Sequence, residues 1–173
     1  MNTTDLEARL RRLEAIEAIK QLKSRYLFCC DRKNPAGVRD CFAPGEVTID
    51  YGRIGVYRDR EELVKVFSEL GCVEHVIDMH HGANPQIEIL DDCNARGTWA
   101  LHYVMINTRD KQLVELGAYY YDDYVKIDGQ WKIRNTRCEV DSTRIVDLAG
   151  ETPKTLFAGG QAPAAVDDPS RQG

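Results

Sequence analysis

The hydrophobic period of this chain changes lastingly at Gly71. Before it, most segments repeat at about 3.6 residues, with one short alternating stretch; beyond it the period is 2, and those two periods separate helix from strand. Leu6, Leu10, Leu13, Ile16, Ile19, Leu22 and Tyr26 follow steps of three and four, which makes one helical stripe. Thr4 and Glu7 form a capping box at its start. The spacing predicts a helix from there to about Cys29 or Cys30. Its first three turns are rich in Arg and Glu and read as a surface for a partner subunit. Asn34 then caps a second, short helix with Pro35 in its first position. Val38, Cys41 and Phe42 turn inward there. Alternation of Val47, Ile49 and Tyr51 predicts a strand over 46–51. Asp59 and Glu62 open a third helix with Leu63, Val66, Phe67 and Leu70 inward, closed by Gly71. Strands follow near 74–81, 84–90, 95–108, 112–127 and 130–140. The turns between them fall at 81–84, 91–94, 108–111 and Asp128-Gly129, the last a two-residue hairpin signal.

Helices gathered first and strands gathered later define an α+β fold. The helices must cover one face of the sheet. A strongly curved, mostly antiparallel sheet wrapped around a long N-terminal helix and two shorter ones is a cone with a cavity inside. Residues 1–149 read as one such domain. Residues 150–173 are rich in Gly, Pro and Ala and read as a loosely ordered tail, or as a flap over the cavity mouth anchored by Leu156 and Phe157.

Charge and apolar content narrow the function classes. The net charge of −5 over 173 residues argues against a phosphate-backbone binder and against a basic membrane-surface protein. No apolar run approaches the roughly 18 residues of a spanning helix. The charged N-terminus lacks the apolar stretch of a signal peptide, so the expected compartment is the cytoplasm. Cys29, Cys30, Cys41, Cys72, Cys93 and Cys138 include no CxxC pair and read as small buried apolar residues.

Chemistry-bearing residues concentrate in two places. All four histidines lie between positions 75 and 102, and Asp31 ends the first helix, the lid of the cone. Tyr26, Tyr51 and Tyr103 fall on elements that should line the interior. A carboxylate held against an imidazole in an apolar pocket makes a general base, and a tyrosine hydroxyl polarises a carbonyl. The bland readings are a turn aspartate, a structural strand histidine and tyrosines of high β-propensity. Asp31 with two histidines would make a facial triad for a metal, but no ligand spacing supports it, and no metal is expected. His80 and His81 are adjacent, so in a strand they point to opposite faces. Alternation sets Val76, Asp78 and His80 against Ile77, Met79 and His81. If the apolar face is the inner one, His81 points in.

The stretches IEAIKQLKSRYLFCCDRKN, VTIDYG, MHHGANPQIEILDDCNARGTWALHYV and LGAYYYDDYVKIDGQWKI, in this order, resemble the SnoaL-like group of the nuclear-transport-factor-2-like, or cystatin-like, superfamily. The resemblance spans about residues 10–140 and lies nearest the branch of scytalone dehydratase, hexachlorocyclohexane dehydrochlorinase and bile-acid 7α-dehydratase. It implies a cone with a deep apolar pocket, cofactor-free chemistry and a homodimer or homotrimer. It places Asp31 and His80 as the catalytic pair and favours His80 over His81. It places Tyr26, Tyr51 and Tyr103 at the substrate, with His81 a further substrate-binding candidate. Tyr103 stands where the bile-acid enzyme has an acidic residue, and Cys30 where scytalone dehydratase has a tyrosine.

Two classes of function follow. One is a cofactor-independent lyase or isomerase acting on a small, largely apolar substrate, steroid-like or aromatic-derived. The other is a non-catalytic binding or assembly module of the same fold, or the small subunit of a ring-hydroxylating oxygenase.

Overall fold

The computed structural model describes residues 3–163. Helix α1 (Thr3–Asp31) begins a residue before the expected cap and runs through the whole stripe. Its first three turns are exposed; from Ala15 onward the stripe enters the core, with Ile19, Leu22 and Tyr26 buried. Helix α2 (Pro35–Cys41) starts as expected, with the Asn34 side chain accepting from the Gly37 N–H. Strands β1 (Thr48–Asp50) and β2 (Val56–Tyr57) flank a 3₁₀ turn, Gly52–Ile54. Helix α3 (Arg60–Val66) is capped by Asp59 and loosens into a π-helical turn, Phe67–Gly71. Its apolar side chains border the cavity described below.

Four long strands follow: β3 (Val76–Ile89), β4 (Asn94–Asn107), β5 (Gln112–Ile127) and β6 (Gln130–Asp147). The hairpin at Asp128-Gly129 has both residues at positive φ, the requirement of the mirror-image turn that suits twisted strands. The expected turn at 81–84 is instead a register irregularity between Ala83 and Gln86 inside one continuous strand. Gly82, Asn84 and Pro85 carry turn chemistry, and the chain uses it as a bulge. Strand β6 runs seven residues past its expected end. On it lies β7 (Lys154–Gly159), where the sequence predicted a loosely ordered tail or a flap. Phe157 packs with Val76, Met105 and Ile145 in a small second core, and neither it nor Leu156 borders the cavity. The rest of the tail, 164–173, lies outside the described residues.

The sheet is mixed and open, in the order β2-β1-β6-β5-β4-β3, with β7 beside β1 on the outer edge of β6. Irregularities at Gly117/Ala118, Asp123/Tyr124 and Ile145/Val146 are bends of the kind that curve a sheet. The concave face holds α1 and the main core. No described helix is long and apolar enough to cross a membrane.

Candidate active site

Strand β3 is one edge of the sheet, and the end of α1 packs against it. There the Asp31 carboxylate meets His80 twice. One oxygen accepts from the backbone N–H of His80 at 3.0 Å and lies 2.7 Å from the imidazole Nδ1. A carboxylate only accepts, so Nδ1 carries the proton and Nε2 the lone pair. Because its N–H goes to Asp31, His80 faces Tyr103 of β4 as a non-hydrogen-bonded pair, the closer kind. Their rings stand 4.6 Å apart, tilted by 53°. Gly82 makes this docking possible: a Cβ there would lie 2.6 Å from Leu27 of α1.

His80 opens onto a cavity of about 260 Å³ between the sheet and the helices. Leu63, Phe67, Leu101, Met105 and Val140 give it apolar walls. Polar atoms gather at two poles. One is His80 with Asp78 and Tyr103. The other is Tyr26, Tyr51 and Tyr120, where the Tyr26 and Tyr51 hydroxyls share a hydrogen bond of 2.6 Å. Burial pushes all three phenols of this second pole well above their usual range, so they stay protonated and remain donors. Two thiols border the same space. Burial pushes Cys30 up strongly and Cys138 up to about 11.

Asp31, His80, Tyr26, Tyr51 and Tyr103 therefore share one site, although Asp31 touches the cavity only through His80. His81 is elsewhere. It sits on the exposed outer face, its ring stacked 5.9 Å from that of His102, and it borders no part of the cavity. The placing of His81 at the substrate is thus corrected by strand geometry: β3 is regular through this dipeptide, so the two histidines part. Ile77 and Met79 go outward with His81 and are half exposed, so the apolar face of β3 is the outer one.

Several residues of the site carry no motif. Asp78 precedes His80 by two and shares its face, and that spacing is the one signal by which it was legible. Lys33 pairs with it from the turn after α1. Lys23 is fully buried behind the tyrosine pole, 2.8 Å from the Asp122 carboxylate and 3.5 Å from the centre of the Tyr120 ring. Asp122 also accepts from Tyr124 and Thr136, each at 2.6 Å. The cysteines divide: Cys29, Cys30 and Cys41 are buried, but Cys93 is exposed in the turn before β4. Among the described residues no three His, Cys, Asp or Glu side chains group as a metal site.

The chain thus combines an open α+β cone with a largely apolar cavity and polar groups on its wall. The chain belongs to the SnoaL-like domain family, which it matches over residues 11–137. Among solved structures it is similar to a Novosphingobium aromaticivorans protein proposed to be a scytalone dehydratase. The identity is 20%, over 88% of this chain and 98% of the other, with a TM-score of 0.71. It is also similar to a hexachlorocyclohexane dehydrochlorinase, LinA type 2, at 18% identity over 90% and 97%, with a TM-score of 0.69. A Nostoc punctiforme protein of unknown function and cystatin-like fold matches at 23% identity over 71% and 88%, with a TM-score of 0.55. At these identities the likeness is one of fold.

Proposed function

We propose that the chain is a cofactor-independent lyase or isomerase that uses His80 as its base. The observation that carries this is the 2.7 Å contact between Asp31 and His80 Nδ1 at the wall of an apolar cavity. Nε2 takes a proton from a carbon beside a carbonyl. The electron pair of that C–H bond moves onto the carbonyl oxygen, and a hydroxyl of the Tyr26–Tyr51 pair donates to the oxyanion that forms. Asp31 fixes the tautomer and stabilises the imidazolium. When the oxyanion collapses, it expels a hydroxyl from the next carbon, which leaves as water with the proton from His80. Alternatively the proton returns at another carbon, and the product is an isomer. Neither course needs an oxidant or a reductant. Family membership and the dehydratase and dehydrochlorinase folds support the same class of chemistry.

The cavity narrows the substrate. At the packing density of protein interiors, 260 Å³ holds on the order of a dozen non-hydrogen atoms. One- and two-ring compounds fit within it, and a larger ring system would extend out through its open mouth. The substrate is then a hydroxylated or unsaturated cyclic ketone. A second copy of the chain would cover the outer face of β3–β5, where Ile77, Met79, Tyr119 and Tyr121 are exposed. Light scattering decides between that homodimer or homotrimer and a monomer.

The test is proton exchange. A panel of one- and two-ring hydroxyketones is incubated with the protein in deuterated buffer and followed by NMR. Deuterium entry or water loss that disappears in His80→Ala and Asp31→Ala supports the reading. Tight binding with no exchange in any member would make the chain a binding module instead.

A further inference from the structure

The cavity is open on one side, and the proton-transfer scheme gives no role to the residues at the opening. Of the described residues that border the cavity, only Ile54 and Leu70 are exposed, by 53% and 43%. They therefore mark its mouth. Single exposed apolar side chains are ordinary on a protein surface. These two are not scattered, because they come from different elements and border the same cavity. Ile54 ends the 3₁₀ turn Gly52–Ile54, and Leu70 lies in the π-helical turn Phe67–Gly71.

Both turns are held in shape. The Ile54 N–H donates to the Tyr51 carbonyl at 3.1 Å, and the Tyr51 N–H donates to the Gly55 carbonyl at 2.9 Å. The Tyr57 hydroxyl donates to the Ile54 carbonyl at 2.6 Å. It passes so close to Gly55 that a Cβ there would lie 2.6 Å from the phenol oxygen. In the second turn the Cys72 N–H donates to the Phe67 carbonyl at 3.0 Å, and the Ser68 hydroxyl donates to the Val64 carbonyl at 2.7 Å. An isoleucine and a leucine carried by turns bonded in this way are placed at the rim, not left there by a frayed loop. From Leu70, the same helical segment continues the apolar wall through Leu63, Val66 and Phe67.

We propose that the substrate is longer than the cavity: a ring head sits inside, and an apolar extension leaves through the mouth across Ile54 and Leu70. The space for about a dozen non-hydrogen atoms takes the head. The rim gives the extension two aliphatic side chains to cover, and covering them removes apolar surface from water on both sides. Their side chains offer no hydrogen bond, so the extension is hydrocarbon and not a sugar or a phosphate ester. The inference rests on the reading of the cavity as a substrate site and deepens it; it needs nothing of His80.

The experiment measures binding to the full chain by titration calorimetry. The probes are 6-alkyl-1-tetralones from methyl to hexyl, whose two rings fill the head space and whose chain lengthens outward. Wild-type affinity is expected to rise about twofold to fourfold per methylene. In Ile54→Ser combined with Leu70→Ser, the ratio of hexyl to methyl affinity should fall at least fivefold. Leu148→Ser, an exposed leucine that does not border the cavity, should keep the wild-type ratio. An affinity that does not rise with chain length overturns the extension, as does an equal rise in the double variant. A flat series together with a dimer that Leu70→Ser dissociates would also overturn it, and would assign the rim to a second copy of the chain. A rising series without turnover of any ketone keeps the extension and loses the lyase reading. Turnover of 1-tetralone derivatives with a flat series does the reverse, so the two failures are distinct.

Discussion

The two faces of β3 carry nearly mirrored sequences and opposite fates. Val76, Asp78 and His80 face the cavity; Ile77, Met79 and His81 face outward. By hydropathy the second set is the better core. It is nevertheless half exposed, because the inner position is fixed by contacts and not by apolarity. Asp31 anchors the backbone and ring of His80, Lys33 anchors Asp78, and Leu27 packs against Gly82. A one-residue slip would exchange the two faces and break all three contacts. A strand that lines a polar-tipped cavity on one side and leaves its apolar side chains half exposed on the other inverts the usual pattern.

The adjacent histidines give the strongest way to break this comparison. His80→Ala should reduce turnover by about 10²–10⁴-fold, the usual scale of a positioned base, and Asp31→Asn should come close to it. His81→Ala should stay within roughly twofold, as exposed substitutions do. Steady-state rates on a turned-over ketone check this, with circular dichroism as the control for folding. An inactive His81→Ala beside an active His80→Ala would reverse the assignment of the faces.

The second test compares buried with exposed residues of β5. Lys23 is sealed against Asp122 under the Tyr120 ring, while Tyr119 and Tyr121 stand outside. Lys23→Met leaves Asp122 charged and without its cation, and breaking a buried pair costs about 3–5 kcal/mol. Tyr121→Ser should cost about 0.5 kcal/mol or less in the monomer. Urea unfolding measures both. Equal losses would mean that the inner pair is not shielded as described.

How far the site was readable from the sequence follows from the same contrast. The helical stripe, the Asn34 cap, the change of period and the Asp128-Gly129 turn are local signals, and each became the expected element. Asp31 and His80 are 49 residues apart, and only the family resemblance brought them together. Hydropathy alone pointed to His81, because it cannot tell a buried apolar face from an exposed one. The ion pairs of Asp78, Lys33 and Lys23 leave no local signal, since each partner lies across the fold. The exposed Leu6, Leu10 and Leu13 of α1 complete a helical stripe whose first half meets no core. Strand β7 escaped notice because Gly and Pro surround it and edge pairing needs no strong pattern.

Thiols sharpen the comparison at a smaller scale. Cys138 borders the cavity, and burial pushes its pKa up to about 11. A raised thiol pKa favours the protonated form, so at pH 9 only about one Cys138 in a hundred is thiolate. Cys93 is exposed in its turn. Alkylation with iodoacetamide, mapped by mass spectrometry, should modify Cys93 first and reach Cys138 at least tens of times more slowly. The Cys138 rate should still be climbing with pH above 9. A bound cyclic ketone should slow Cys138 further and leave Cys93 unchanged.

A further contrast lies at Gly82, beside the two histidines. A methyl added there would lie 2.6 Å from a terminal carbon of Leu27, so something must move. The obstacle is the far end of a flexible side chain, which places Gly82→Ala near the low end of overpacking costs, about 1 kcal/mol. The movement lifts α1 from β3 one turn before Asp31, so the loss should appear in kcat more than in KM. Ala83→Gly, next along the same strand and exposed, removes a methyl with no such contact and should leave kcat unaltered. A melting temperature and kcat in Gly82→Ala that match the wild type would show that the helix is free to shift without disturbing His80. The precision of the Asp31–His80 contact would then have to come from the Lys33–Asp78 pair alone.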